Sequence, residues 1–90
     1  MVNGESGSST GLIEGGADGV VTGYNGVGLG TVTNYGTIVG PNSGVWLAAG
    51  GSLINFGTIE SLGASGDAIT TQYAAGVVSN AVTGLVDADN

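Results

Sequence analysis

Gly30-Thr31-Val32-Thr33-Asn34-Tyr35-Gly36-Thr37-Ile38 and Gly51-Ser52-Leu53-Ile54-Asn55-Phe56-Gly57-Thr58-Ile59 are one pattern written twice. Asn, Gly, Thr and Ile each recur after 21 positions. A fixed period of this length is the signature of a solenoid, in which each repeat forms one coil stacked on the last. Within each copy the residues alternate. Val32 and Ile38 fall on one side, Thr31 and Thr33 on the other, the period of two of a β-strand. No stretch sustains a helical period.

Weaker copies flank the pair. Gly11-Leu12-Ile13-Glu14-Gly15 matches Gly36-Thr37-Ile38-Val39-Gly40 at an offset of 25, and Asp18-Gly19-Val20-Val21 matches Ser43-Gly44-Val45-Trp46 at the same offset. The extra residues are assigned to a loop around Tyr24–Gly28. Gln72-Tyr73-Ala74 reads as a second insertion, after which Gly76-Val77-Val78-Ser79-Asn80 restarts the pattern with Asn80 in the place of Asn55. Between them the register over Gly63–Tyr73 is ambiguous. Aligning Gly66 with Gly44 would put Asp67 at the apolar position of Val45. A one-residue slip puts Ala68 there instead and is preferred, because an unpaired buried carboxylate is costly.

The expected fold is all-β: a right-handed parallel β-helix of about four rungs with a repeat of about 21 residues. Residues 1–10 are set aside as a flexible lead-in, 11–86 form the repeat domain, and 87–90 form an acidic tail. Gly36 and Gly57 are assigned to corners needing positive φ.

Composition narrows the function. The chain has no Lys, Arg or His, and its seven carboxylates give a charge of −7. Nucleic-acid binding is not expected, because its affinity comes from cations neutralising phosphates. An anionic membrane surface is disfavoured for the same reason, and no apolar run is long enough to span a bilayer. Without a His base, a Lys or Cys nucleophile or a cationic clamp, most catalytic machinery is missing. There is no cysteine for a disulfide or thiolate metal site. The lead-in has no basic and apolar regions of a signal peptide, so export would require a signal encoded elsewhere.

The Asn-Tyr-Gly-Thr-Ile unit at Asn34–Ile38 and the Asn-Phe-Gly-Thr-Ile unit at Asn55–Ile59 resemble the passenger regions of bacterial autotransporters and related haemagglutinin-like adhesins. Those have an Asn-x-Gly-Thr-Ile unit, then a Gly-Val-x-Leu strand, then a Gly-Gly step. Gly44-Val45-Trp46-Leu47 and Gly50-Gly51 follow that order. The resemblance implies a β-helix, an extracellular or outer cell-surface location within a longer secreted protein, and a role as stalk or adhesin. The lack of Lys and Arg is not something the family pattern requires.

Several positions invite a functional reading, each with a structural alternative. Asn34, Asn55 and Asn80 are expected to stack as an amide ladder inside a corner, with Asn34 its first member; glycan binding is the alternative. Tyr35 and Phe56 would stack as packing or serve as a ligand platform. Trp46, between inward Val45 and Leu47, would point outward as an exposed contact for sugar or a partner. Gly15-Gly16-Ala17-Asp18-Gly19 is a single, misplaced copy of a calcium nonapeptide, and Asp87-x-Asp89-Asn90 opens like a calcium loop without its Gly or closing Glu. Thr31-x-Thr33 resembles an ice-binding unit, but Ser52 and Ile54 follow it. The acids occupy unmatched positions, so the paired carboxylates of a glycoside hydrolase are not expected. No catalytic, cofactor or metal residue is assigned, and the chain is read as a non-enzyme.

The leading expectation is therefore a structural β-helical segment of a surface adhesin or autotransporter-like protein. Its ends offer no cap, so its first partner is itself, as a homo-oligomer joined through solenoid edges. Surface glycans or a host or cell-surface protein are further partners. The alternative is a carbohydrate- or cation-binding module using exposed Trp46 and the acidic surface.

Overall fold

The short β-branched runs become strands because alternate side chains can be buried, and the glycines between them end each strand. In the computed structural model, which describes residues 1–8, 10–23, 30–63, 66–71, 76–80 and 84–88, these strands are β1 (Val2–Asn3), β2 (Leu12–Glu14), β3 (Asp18–Thr22), β4 (Gly30–Asn34), β5 (Thr37–Gly40), β6 (Ser43–Leu47), β7 (Gly51–Asn55), β8 (Thr58–Ser61), β9 (Asp67–Thr71), β10 (Gly76–Asn80) and β11 (Leu85–Ala88). There is no helix among the described residues.

The strands form three parallel sheets, ordered β1-β4-β7-β10, β2-β5-β8-β11 and β3-β6-β9. Consecutive strands enter different sheets, and the chain returns to each sheet every third strand. This is the connectivity of a parallel β-solenoid. The register follows the repeat: Val32 lies opposite Leu53, Asn34 opposite Asn55 and Ile38 opposite Ile59. The offset of 25 read from the flanking copies is also present, with Ile13 opposite Ile38 and Val20 opposite Val45.

Val32, Ile38, Val45, Leu47, Leu53, Ile59 and Ala68 make one buried cluster, with Ile13, Val20 and Ile69 packed against it. The inward residues of all three sheets therefore share one core. Each fully buried aliphatic side chain contributes roughly 1.5–3 kcal/mol.

The structure differs from the sequence reading in four places. First, Val2 and Asn3 pair with Thr33 and Asn34, so the stacked sheet starts inside the segment set aside as a lead-in. Leu85–Ala88 likewise pairs with β8, placing Asp87 opposite Glu60 within a strand rather than in a tail.

Second, β9 pairs with β6 so that Asp67 lies opposite Ser43 and Ile69 opposite Val45. Neither Asp67 nor Ala68 takes the place of Val45. The β-branched Ile69 fits the core column, Ala68 is buried beside it, and the Asp67 carboxylate stays exposed, which avoids the cost of burying it.

Third, Gly36 and Gly57 do not have positive φ; among the described residues the positive values are at Gly4, Gly7, Gly23, Gly50 and Gly51. What Gly36 and Gly57 provide is clearance. A Cβ built at Gly57 runs into the carbonyl oxygen of Gly36, and one at Gly36 into that of Gly11. Glycine is stacked on glycine here because the backbones of successive coils nearly touch. The left-handed corner lies instead at Gly50-Gly51, with φ of 78° and 120°.

Fourth, Trp46 is half-buried rather than freely exposed. It pairs with Val21 on one side and Thr70 on the other. The expected loop at Tyr24–Gly28 and the insertion at Gln72-Tyr73-Ala74 lie outside the described residues.

Candidate functional site

Asparagine carries two amide donors and a carbonyl acceptor on a short side chain. Placed at one position in each coil, it can bond upward and downward at once. Asn3, Asn34, Asn55 and Asn80 end β1, β4, β7 and β10 and lie opposite one another in register. Nδ2 of Asn3 donates to Oδ1 of Asn34 at 2.9 Å, Nδ2 of Asn34 to Oδ1 of Asn55 at 2.8 Å, and Nδ2 of Asn55 to Oδ1 of Asn80 at 2.9 Å. Every ladder bond points the same way, toward the C-terminal coil.

The ladder also holds the corner closed. Nδ2 of Asn34 reaches the carbonyls of Gly36 and Thr58, each at 3.0 Å. Asn3 donates to the carbonyl of Thr37 and Asn55 to that of Gly57, again at 3.0 Å. The backbone N–H of Gly57 donates to Oδ1 of Asn55 at 3.2 Å. Each amide thus ties the strand it ends to the strand that follows and to the coil above. Asn34 and Asn55 are wholly buried, so a lost partner leaves an unsatisfied group away from water, costing about 1–3 kcal/mol.

Sequence reading found Asn34, Asn55 and Asn80 but missed Asn3. The signal was present as Asn3 followed by Gly11-Leu12-Ile13, the counterpart of Asn34 followed by Gly36-Thr37-Ile38. Residues 4–10 separate the two halves where a single Tyr35 does so in the next coil. Asn34 therefore has a ladder neighbour on both sides.

Outside the same corner, Tyr35 and Phe56 stack with ring centroids 5.0 Å apart and planes within 7°. Each ring covers a face of the other, so those two faces are closed to a sugar. The geometry is that of packing between coils. Nε1 of Trp46 is a buried donor with no partner among the described residues, as is the hydroxyl of Thr22.

Five of the seven acids, Glu14, Asp18, Glu60, Asp67 and Asp87, lie at the ends of second-sheet strands or the starts of third-sheet strands. One column in the second sheet reads Glu14, Val39, Glu60, Asp87, and one in the third reads Asp18, Ser43, Asp67. Glu60 and Asp87, read from sequence as unmatched, are direct neighbours across β8 and β11. Among the described residues no group of three or more acidic or other metal-ligating side chains is placed to hold a metal ion. Asp18 lies in β3, its neighbours Gly15 and Gly16 outside it. In the outer face of the first sheet, Thr31 and Thr33 lie opposite Ser52 and Ile54, so the threonine array ends after one coil.

The fold and the ladder define a class: a parallel, three-sheeted stack fastened from within by asparagine amides. No protein family, curated protein or solved structure matches the chain in comparison.

Proposed function

We propose that this chain is a structural β-helical repeat segment of a bacterial cell-surface adhesin or autotransporter-like protein. It would be wound right-handed in about four rungs of about 21 residues, and it would associate with copies of itself through uncapped ends. Its work is mechanical: a stacked sheet holds other surfaces away from the cell.

The observation that carries this reading is the unbroken asparagine ladder across coils of unequal length. Successive ladder asparagines are 31, 21 and 25 residues apart, yet each bonds the next. Corner loops can therefore grow without disturbing the stack, which suits a scaffold that displays variable surfaces. The resemblance at Asn34–Ile38 and Asn55–Ile59 supplies the surface location.

A carbohydrate- or cation-binding role for Trp46 and the acidic surface gains no support from the geometry, since Trp46 is half-buried and its Nε1 is enclosed. The test is surface labelling. Antibody against this chain should stain intact, unpermeabilised cells that express the parent protein, and external protease should remove the signal. Staining that requires permeabilisation would rule out the surface role. Sedimentation of the isolated chain against concentration tests self-association separately.

A further inference from the structure

The charge of this molecule is segregated by sheet. The second-sheet strands carry Glu14, Glu60 and Asp87 and the third-sheet strands Asp18 and Asp67, whereas β1, β4, β7 and β10 hold no charged side chain. Of the other two acids, Glu5 belongs to residues 4–10 at the first corner, and Asp89 lies outside the described residues. Three sheets around one core make a three-sided coil. The edge where the second sheet turns into the third is the one edge the first sheet does not share, and the five acids lie along it.

The first sheet presents a flat, uncharged outer face. Val32, Asn34, Leu53 and Asn55 are buried, so the residues between them point outward. In register they form two columns: Thr31, Ser52 and Val77 in one, Thr33, Ile54 and Ser79 in the other. Each is small or β-branched, and Ile54 and Val77 are 39% and 67% exposed. The face runs along the side of the stack. Its central strands, β4 and β7, have paired neighbours on both sides, so it is present wherever the stack begins or ends.

We propose that the outer face of the first sheet is a side-by-side docking surface for the same face of a second copy. Charge selects this occupant. A chain with seven carboxylates and no Lys, Arg or His repels its own copies wherever acids meet. Contact through the two first sheets turns both acid edges to the outside of the pair, on opposite sides of it. They are then separated by more than the Debye length of about 8 Å at physiological salt. A basic partner would be drawn to the acid edge instead. Sheet faces pack about 10 Å apart with strands nearly aligned, and alternating side chains from the two faces interdigitate there. A face that contacts itself makes the pair two-fold.

Four strands of about five residues cover roughly 19 by 16 Å, about 300 Å² per partner. A standard interface buries about 800 Å² per partner. This segment therefore pairs weakly, and each further coil of a longer stack adds another strip to the contact. The contact is independent of the surface location and of the end-to-end association proposed above, and failure of either leaves it standing.

The absence of cysteine lets the face be mapped with single cysteines and a short-armed bismaleimide. Thr31→Cys and Ser52→Cys change exposed side chains on the face, and Leu12→Cys changes one that is 64% exposed on the second sheet. The first two should give covalent dimers whose yield rises with concentration and stays well above that of Leu12→Cys. Head-to-tail stacking gives no such dimer, because it holds equal positions of two copies a whole stack apart, roughly 19 Å. Ser52→Asp added to Thr31→Cys sets like charges against each other across the two-fold and should lower the yield at least about fivefold. Leu12→Asp adds the same charge on the second sheet and should leave the yield unchanged. Equal yields from all three cysteines would mean random collision and would overturn the face, as would dimers from Leu12→Cys alone. Association in sedimentation without first-sheet cross-links would overturn it and leave end-to-end pairing. Monomer from all three variants at every concentration would overturn it outright.

Discussion

The amide of Asn34 bonds the amide of Asn55 at 2.8 Å, and neither residue is exposed. This contact joins residues 21 apart in sequence and adjacent in space. It lies on the axis along which the whole molecule is built, so its removal should be felt by both neighbouring coils. Asn34→Ala and Asn55→Ala should each cost about 1–3 kcal/mol, because each strands partners above and below. Asn80→Ala should cost less, since Asn80 is exposed and ends the series. Urea melts of the three variants check this order. A loss at Asn80 equal to that at Asn55 would mean the ladder does not act as a buried series.

Asn55→Asp extends the same argument to pH. The substitution keeps the shape but puts a carboxylate where Nδ2 of Asn34 and the N–H of Gly57 supply donors to one oxygen, while the carbonyl of Gly57 and Oδ1 of Asn80 face the other as acceptors. Complete burial, with acceptors facing the second oxygen, disfavours the ionised form and raises the folded-state pKa of the new group above its unfolded value. Stability should therefore rise as pH falls through that folded-state pKa, when the protonated carboxyl regains a donor. Asn55→Asp should be worse than Asn55→Ala at neutral pH and recover part of the difference in acid. Parallel melts at the two pH values measure it.

Gly57 separates two accounts of the same corner. If the residue were there for a left-handed φ, alanine would cost about 1–2 kcal/mol and asparagine less. Since its Cβ would instead meet the backbone oxygen of Gly36, any side chain must push two coils apart. Gly57→Ala and Gly57→Asn should both be severely destabilising, by about 3 kcal/mol or more. Thermal melts by circular dichroism compare them, and a mild Gly57→Asn would restore the conformational account.

What was legible in the sequence is what repeats at constant spacing. Ile38 and Ile59, Asn34 and Asn55, and Gly36 and Gly57 each declare one column, and two matched columns suffice to indicate parallel stacking. Asn3 was hidden because residues 4–10 stretch its corner beyond the local window. Ile69 was hidden because glycine matching is a poor guide to register where an insertion intervenes; the core chose the β-branched residue over the better-aligned Gly66. Gly57 was seen but given the wrong cause, since contact between coils depends on tertiary spacing that no dipeptide pattern carries. The burial of Trp46 likewise depends on neighbours one coil away.

Trp46 offers a direct check on its half-buried placement. Its buried Nε1 has no partner among the described residues, which is costlier than having no polar atom there. Trp46→Phe should leave stability unchanged or raise it by up to about 1 kcal/mol. A loss of more than that in a denaturant melt would show that the indole N–H is bonded after all.

The final prediction concerns the conditions under which copies associate. Two effects compete at the contact between ends. Pairing of open strand edges depends little on pH. Against it stands a charge of −7 without a single side-chain cation. Like charges directly opposite across a sheet are destabilising, and salt screens them within about 8 Å at physiological ionic strength. Repulsion therefore fades as carboxylates protonate toward the sequence pI near 4.1, while edge pairing remains. Association should be weakest at pH 7.5 in low salt and strengthen at pH 4.5 or in high salt. Sedimentation velocity under the four conditions measures this, and an association that ignores both salt and pH would remove charge repulsion from the contact.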